Sequence, residues 1–184
     1  MNIVYKPSPN FSKRNLKPEL IVVHIMAGSL QGTDSWFAST ESQVSAHYGI
    51  GKNGEIHQYV KEEDKAWHAG RVSNPSFKLY KQGINPNEYT IGVEHEGTDL
   101  SKCPEIELQT SANLIKEICA RWNIPIDREH IIGHYQVFSE KPNCPATDKS
   151  VIDKIINMAK GDENVPILIP KSKLARITNY LLNI

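Results

Sequence analysis

The apolar positions of the chain fall into two patterns. Short unbroken or alternating apolar runs mark strands, and apolar residues three and four apart mark helices. Residues 19–24 form a continuous run ending in "VVH", as in a strand buried on both faces. In "SAHYGIGKNGEIHQYV" two β-rich runs flank "KNGE". Asn53 and Gly54 there predict a hairpin with a type I′ turn, whose two central residues both need positive φ. "YTIGVEHEG" reads as a strand from Tyr89 to about His95, and "EHIIGHYQV" as one ending near His134. Over residues 105–122, Ile115, Ile118, Cys119 and Trp122 line one helical face. Glu105 and Glu107 lie in that helix's first turn, where the dipole favours acids. "DKSVIDKIINMAK" places Val151, Ile152, Ile155 and Ile156 along one side of a second helix. A shorter helix is predicted over "GTDSWFAST", with Thr33 or Asp34 as its N-cap.

The remaining segments connect these elements. "KPSPN" and "KPEL" mark an extended lead-in, because residues before proline avoid the helical region. Residues 61–88 are polar, rich in Gly, Pro and Asn, and contain "WHAG". They read as a long surface connection, the kind of segment that carries function. After Lys160 the composition shifts to "GDENVP", a linker, and then to an apolar and basic tail too short for a domain. The expected organisation is one domain over residues 1–160 and a tail over 161–184. The tail would pack on the core, join two copies into a homo-oligomer, or be the stub of a binding module. Alternating strands and helices with one hairpin predict an α/β fold, a central mixed β-sheet flanked by α-helices.

Composition narrows the function. A chain of 184 residues with 39% hydrophobic residues can bury one core. Lys and Arg number 21, as do Asp and Glu, so net charge gives no general drive toward nucleic acid or an anionic membrane. Neither is expected as a partner. No apolar run approaches the roughly 18 residues that span a bilayer, and "MNIVYKPSPNF" does not resemble a signal peptide. A chain that starts out in the cytoplasm is expected. Cys103, Cys119 and Cys144 are odd in number and irregular in spacing, which argues against a disulfide framework and leaves a thiolate free to bind a metal.

Two strands end on histidine, His24 and His134, and Cys144 follows ten residues after the second, in "KPNCPAT". Two imidazoles and a thiolate suit one zinc ion, and three protein ligands are typical of a catalytic site with a fourth position for water. Bound zinc lowers the pKa of water and polarises carbonyls, which is hydrolase chemistry.

The blocks "IVVHIMAG", "SAHYGIGKNGEIHQYV", "KAWHAG", "YTIGVEHEG", "IIGHYQV" and "NCPAT", in this order over about residues 20–160, resemble the type-2 N-acetylmuramoyl-L-alanine amidases. That family shares its fold with peptidoglycan recognition proteins. The resemblance implies a zinc-containing groove at one edge of the sheet, with His24, His134 and Cys144 as ligands. The implied activity is hydrolysis of the amide between N-acetylmuramic acid and L-alanine in bacterial peptidoglycan. Glu94 occupies the place of the Glu that takes a proton from the attacking water in one branch of the family. In another branch, the T-odd coliphage lysozymes, a Tyr serves instead, and that slot holds Ala46. Tyr48, two residues on, is retained as a substrate-facing residue on the face of Ala46.

A family Lys that stabilises the oxyanion lies two residues before the third ligand. Pro142 stands there, so Lys141, one residue further away, takes the role only if the loop is displaced. His68 and Trp67 are expected to line the substrate groove. His47 is a supporting or core residue, and His95 a structural one facing away from Glu94. His57 and His130 read as ordinary strand or surface residues, and Cys103 and Cys119 as non-catalytic. The expected setting is a phage or prophage lytic enzyme, an endolysin, reaching the wall after release from the host cytoplasm. The alternatives are a cytosolic muropeptide-recycling amidase, whose third ligand is usually Asp, and a non-catalytic peptidoglycan-binding protein, which usually lacks the Cys.

Overall fold

A computed structural model describes residues 1–161. Among the described residues eight strands and three α-helices follow one another as β1 (Ile3–Tyr5), β2 (Phe11–Lys13), β3 (Leu20–Ile25), α1 (Leu30–Ala38), β4 (Tyr48–Ile50), β5 (Ile56–Gln58), β6 (Asp64–Ala66), β7 (Thr90–His95), α2 (Glu105–Trp122), β8 (Ile131–Gly133) and α3 (Ser150–Lys160). Six strands make one sheet in the order β1-β5-β4-β7-β3-β8, while β2 and β6 pair separately. Only the β4–β5 hairpin is antiparallel within the large sheet. This is the mixed α/β architecture expected from the sequence. Of the tail expected over 161–184 only Gly161 is described, as the C-cap of α3; the rest, with its linker and oligomerisation expectations, lies outside the described residues.

The run in β3 is apolar because both its faces are covered. Ile21 and Val23 join the larger core beneath α2 and α3, with Ile91, Val93, Leu114, Ile115, Ile118, Ile152 and Ile155. Leu20 and Val22 point the other way, onto Ala69, Phe77, Tyr89, Ile132 and Val137. The second face is therefore covered mainly by the long connection over 61–88 rather than by a helix. That connection contributes β6 and a short 3₁₀ turn (Pro86–Glu88), so it is more ordered than its composition suggested. Arg14, in the lead-in, ties it down by donating to the carbonyls of Asp64, Glu88 and Thr90.

Two local expectations are corrected. Helix α1 begins at Leu30, and its N-cap is Ser29, whose hydroxyl accepts from the Gly32 N–H at 3.1 Å. Thr33 is buried within the first turn, and Asp34 is committed elsewhere, accepting from Tyr59 at 2.9 Å and meeting His57 at 2.7 Å. The hairpin turn is not type I′: Gly54 has φ of 83°, but Asn53 does not lie at positive φ. Gly54 N–H closes on the Gly51 carbonyl at 2.8 Å, giving a longer loop in which glycine alone takes the left-handed position.

Tyr48 is also corrected. It pairs with Val93 across the sheet, so it shares Val93's face and faces α2, away from Glu94. Ala46, by contrast, packs with Phe37 and Tyr59, because β4 begins only at Tyr48 and strand alternation does not carry back to residue 46. The Tyr48 hydroxyl donates to Glu62 at 2.7 Å, and the same carboxylate accepts from Arg121 and Trp122 at the end of α2. Tyr48→Phe is therefore expected to cost about 1.5–3 kcal/mol of stability, the range for hydrogen bonds to charged groups, while leaving kcat/KM unchanged. Denaturant unfolding and turnover together check this; a loss of turnover without loss of stability would return Tyr48 to the groove.

Candidate active site

The register of the central strands brings the polar residues together. His24 on β3 pairs directly with Glu94 on β7. On the other side Val23 pairs with Gly133, the last residue of β8, so His134, which follows it, emerges beside His24. Three neighbouring parallel strands thus end at one level, each carrying a polar residue, and open α/β sheets bind ligands at such carboxyl ends. The imidazole rings of His24 and His134 lie 4.4 Å apart, and Glu94 Oε1 lies 4.0 Å from His24 Nδ1.

Cys144 arrives on the loop before α3. That loop is fastened by Tyr135 N–H on the Cys144 carbonyl (2.9 Å) and Leu100 N–H on the Pro145 carbonyl (3.0 Å). Asp99 adds a third tie, accepting from the Thr147 hydroxyl at 2.6 Å and its N–H at 3.2 Å. The result is a cluster in which ligand atoms of His24, His134 and Cys144 all lie within 4.8 Å of one another. This arrangement can hold a metal ion.

Burial governs the electrostatics. It pushes His24 well below the ordinary imidazole value, helped by the neighbouring His134 and His68, and it brings His134 down to about 4. Neutral imidazoles are the metal-binding form. Burial pushes Glu94 up to about 7, with Lys141 acting in the opposite sense. It also pushes the Cys144 thiol up to about 12, an effect reinforced by Glu94.

The cluster forms the floor of a groove of about 330 Å³, lined by Trp36, Trp67, Arg71, Phe138 and Lys141 among others. Its rim combines exposed aromatic and basic side chains, Trp36 (57% exposed) with Arg71 and Lys141.

A family model described as N-acetylmuramoyl-L-alanine amidase matches residues 14–147, which include every residue of the cluster. The chain belongs to the N-acetylmuramoyl-L-alanine amidase family. It is 39% identical over 160 residues to N-acetylmuramoyl-L-alanine amidase A of Achromobacter lyticus, covering 85% of this chain and 79% of that protein. It is 31% identical over 159 residues to the 1,6-anhydro-N-acetylmuramyl-L-alanine amidase AmpD of Salmonella typhimurium, covering 76% and 81% respectively. A crystal structure of a selenomethionine AmpD derivative superposes with a TM-score of 0.69 at 27% identity, over 83% of this chain and 93% of that one.

Within this amidase fold, His24, His134, Cys144, Glu94, Lys141, Trp67 and His68 all border the groove. Tyr48 does not. Lys141 is exposed and lines the groove despite its one-residue displacement, and its backbone N–H donates to the Phe138 carbonyl at 3.1 Å. His47 is fully buried, with Nδ1 accepting from Gly92 N–H at 3.0 Å. His95 lies on the opposite face and ties the His24 carbonyl at 2.9 Å, bracing the backbone of β3 from behind. His57 is buried rather than superficial, held by Asp34 and Glu55, whereas His130 bonds Asp127 near the surface. The sequence reading missed Trp36, Arg71 and Phe138 as groove residues. Trp36 sits in a helix whose periodicity gives no reason to expose it, and Arg71 directly follows "WHAG", the one signal that was available.

Proposed function

We propose that the chain hydrolyses the amide between N-acetylmuramic acid and L-alanine in peptidoglycan, using one zinc ion held by His24, His134 and Cys144. The observation that carries this reading is the convergence of those three donors within 4.8 Å beside Glu94, at the floor of a groove in a member of this family. The donor set fits zinc in kind: two buried neutral imidazoles and a thiol whose ionisation needs a compensating cation. Glu94 Oε2 is buried without a protein partner, an acceptor left for a reacting group.

When bound, the zinc supplies Lewis-acid polarisation of the scissile carbonyl and acidifies water. Glu94, a carboxyl that burial raises to about 7 in the metal-free protein, takes one proton from the attacking water and passes it to the departing amide nitrogen. A C–O bond forms at the lactyl carbonyl carbon, its C–N bond breaks, and the stem peptide leaves with a free amino group on its L-alanine. Lys141 offers positive charge to the oxygen that becomes negative. Trp36, Trp67 and Phe138 supply apolar walls along which the saccharide and stem peptide lie.

A lytic role on the intact wall is supported by Cys144 as third ligand. The likeness to AmpD supports a second setting, action on soluble anhydro-muropeptides. Purified protein incubated with intact sacculi is expected to generate new L-alanine amino termini, to stop on addition of a chelator, and to resume with zinc. Release of reducing sugar instead would overturn the bond assignment. Retention on sacculi without new termini would make the chain a binding protein. Turnover of soluble anhydro-muropeptides with sacculi untouched would select the recycling role.

A further inference from the structure

His68 borders the groove but is largely withdrawn from it, with its ring against His24. It is 8% exposed, and its ring rests across Gly92, where an added Cβ would meet ring atoms at 2.4 to 2.8 Å. A glycine inside a central strand weakens it and commonly marks a close approach. Here the approach is that of an imidazole. The backbone of the His68-Ala69 dipeptide is held in turn by Asn87 Oδ1, which accepts from both N–H groups at 3.2 and 2.8 Å.

The hydrogen bonds around this dipeptide have only one consistent direction. Thr90 donates its single hydroxyl proton to the Pro86 carbonyl at 2.8 Å. At its 3.2 Å contact with His68 Nε2 it can therefore only accept, and Nε2 carries the His68 proton. A buried imidazole with no carboxylate against it stays neutral, which leaves Nδ1 as a lone pair. That lone pair lies 3.1 Å from His24 Nε2, so His24 donates to it. His24 keeps its own lone pair on Nδ1, the nitrogen that faces Glu94. At the second imidazole the Ala69 carbonyl does the same work. It lies 3.1 Å from His134 Nε2 and can only accept, so the lone pair of His134 is also on Nδ1.

We propose that His68 and Ala69 form the outer shell of the metal centre, fixing both ligand imidazoles with the Nδ1 lone pair toward the ion. His68 is then a positioning residue for His24, and the chain Pro86–Thr90–His68–His24 sets its proton. This rests on the reading of His24, His134 and Cys144 as metal ligands. Outer partners of this kind typically change metal affinity by about 10–100-fold when removed.

The test compares two isosteres in the full chain. In His68→Asn the amide oxygen stands at the level of Nδ1 and keeps an acceptor for His24. In His68→Gln the amide stands at the level of Nε2, keeping the Thr90 contact and losing that acceptor. Zinc affinity, measured by competition with a chromophoric chelator, is expected to fall about 10–100-fold in His68→Gln and to stay within about threefold of the parent in His68→Asn. Equal affinity in His68→Gln and the parent would overturn the proposal. A second measurement needs no variant. Nitrogen–proton correlation spectra of the metal-free protein should show His24, His68 and His134 all protonated on Nε2, and a proton on Nδ1 of His24 would refute the relay. If the parent binds no zinc, the ligand reading fails by itself, while the spectra still decide the proton positions.

Discussion

Cys144→Ala is expected to abolish metal binding and turnover together while leaving the fold intact. The sulfur is the one donor able to bring a negative charge to the cluster, the other two being neutral imidazoles. Without it two ligands remain, fewer than the three that catalytic zinc sites typically keep. The loss of affinity should exceed the roughly 10–100-fold that follows removal of an outer partner. The fold is expected to survive because the loop is held by groups other than the thiol, namely the Cys144 and Pro145 carbonyls and the Asp99 contacts to Thr147. Zinc content after dialysis, sacculus hydrolysis and the thermal midpoint of the metal-free protein check the three parts. Cys144→Asp is the control: a carboxylate is also a zinc ligand, so metal and part of the activity should return. A Cys144→Ala protein that retains one zinc per chain would remove Cys144 from the centre.

The contrast between Cys144 and Tyr48 shows what the sequence could convey. The strands were legible because burial on both faces leaves an unbroken apolar run, and the two long helices because their apolar stripes match the helical period. The polar cluster was legible for a related reason: His24 and His134 interrupt runs that should otherwise have continued as core. The register that sets Glu94 beside His24 is a property of strand pairing, which no single strand records. Tyr48 failed on the same point, since its face depends on where β4 begins and on its pairing with Val93. The cap of α1 was misplaced because Ser29, Thr33 and Asp34 are all competent caps. The choice fell to Ser29 because Asp34 is needed by Tyr59 and His57, more than twenty residues away in sequence. The role of Gly92 was hidden for the same reason. Only the packed structure shows that an imidazole from the "WHAG" connection occupies the space a side chain would take.

Glu94→Gln separates catalysis from metal binding and is the complementary experiment to Cys144→Ala. Glutamine matches the carboxylate in volume and keeps a polar atom at each oxygen position, so the groove and the three donors should be undisturbed. It cannot accept a proton from water. In the parent, burial brings the Glu94 carboxyl to about 7, which suits a group that must both take and return a proton near neutral pH. Lys141 is the cation that opposes this rise, and its charge is retained in the variant. Zinc affinity is therefore expected within about threefold of the parent, while kcat falls by about 10²–10⁴, the usual contribution of a positioned general base. KM should change little, because the amide keeps the shape and polarity of the carboxylate in the groove wall. Steady-state kinetics on a soluble muropeptide, paired with chelator competition, provide both numbers. A kcat within a few fold of the parent would move the proton transfer to another group. A parallel loss of zinc would instead mean that Glu94 supports the metal centre, a role that its 4.0 Å distance from His24 Nδ1 places within reach.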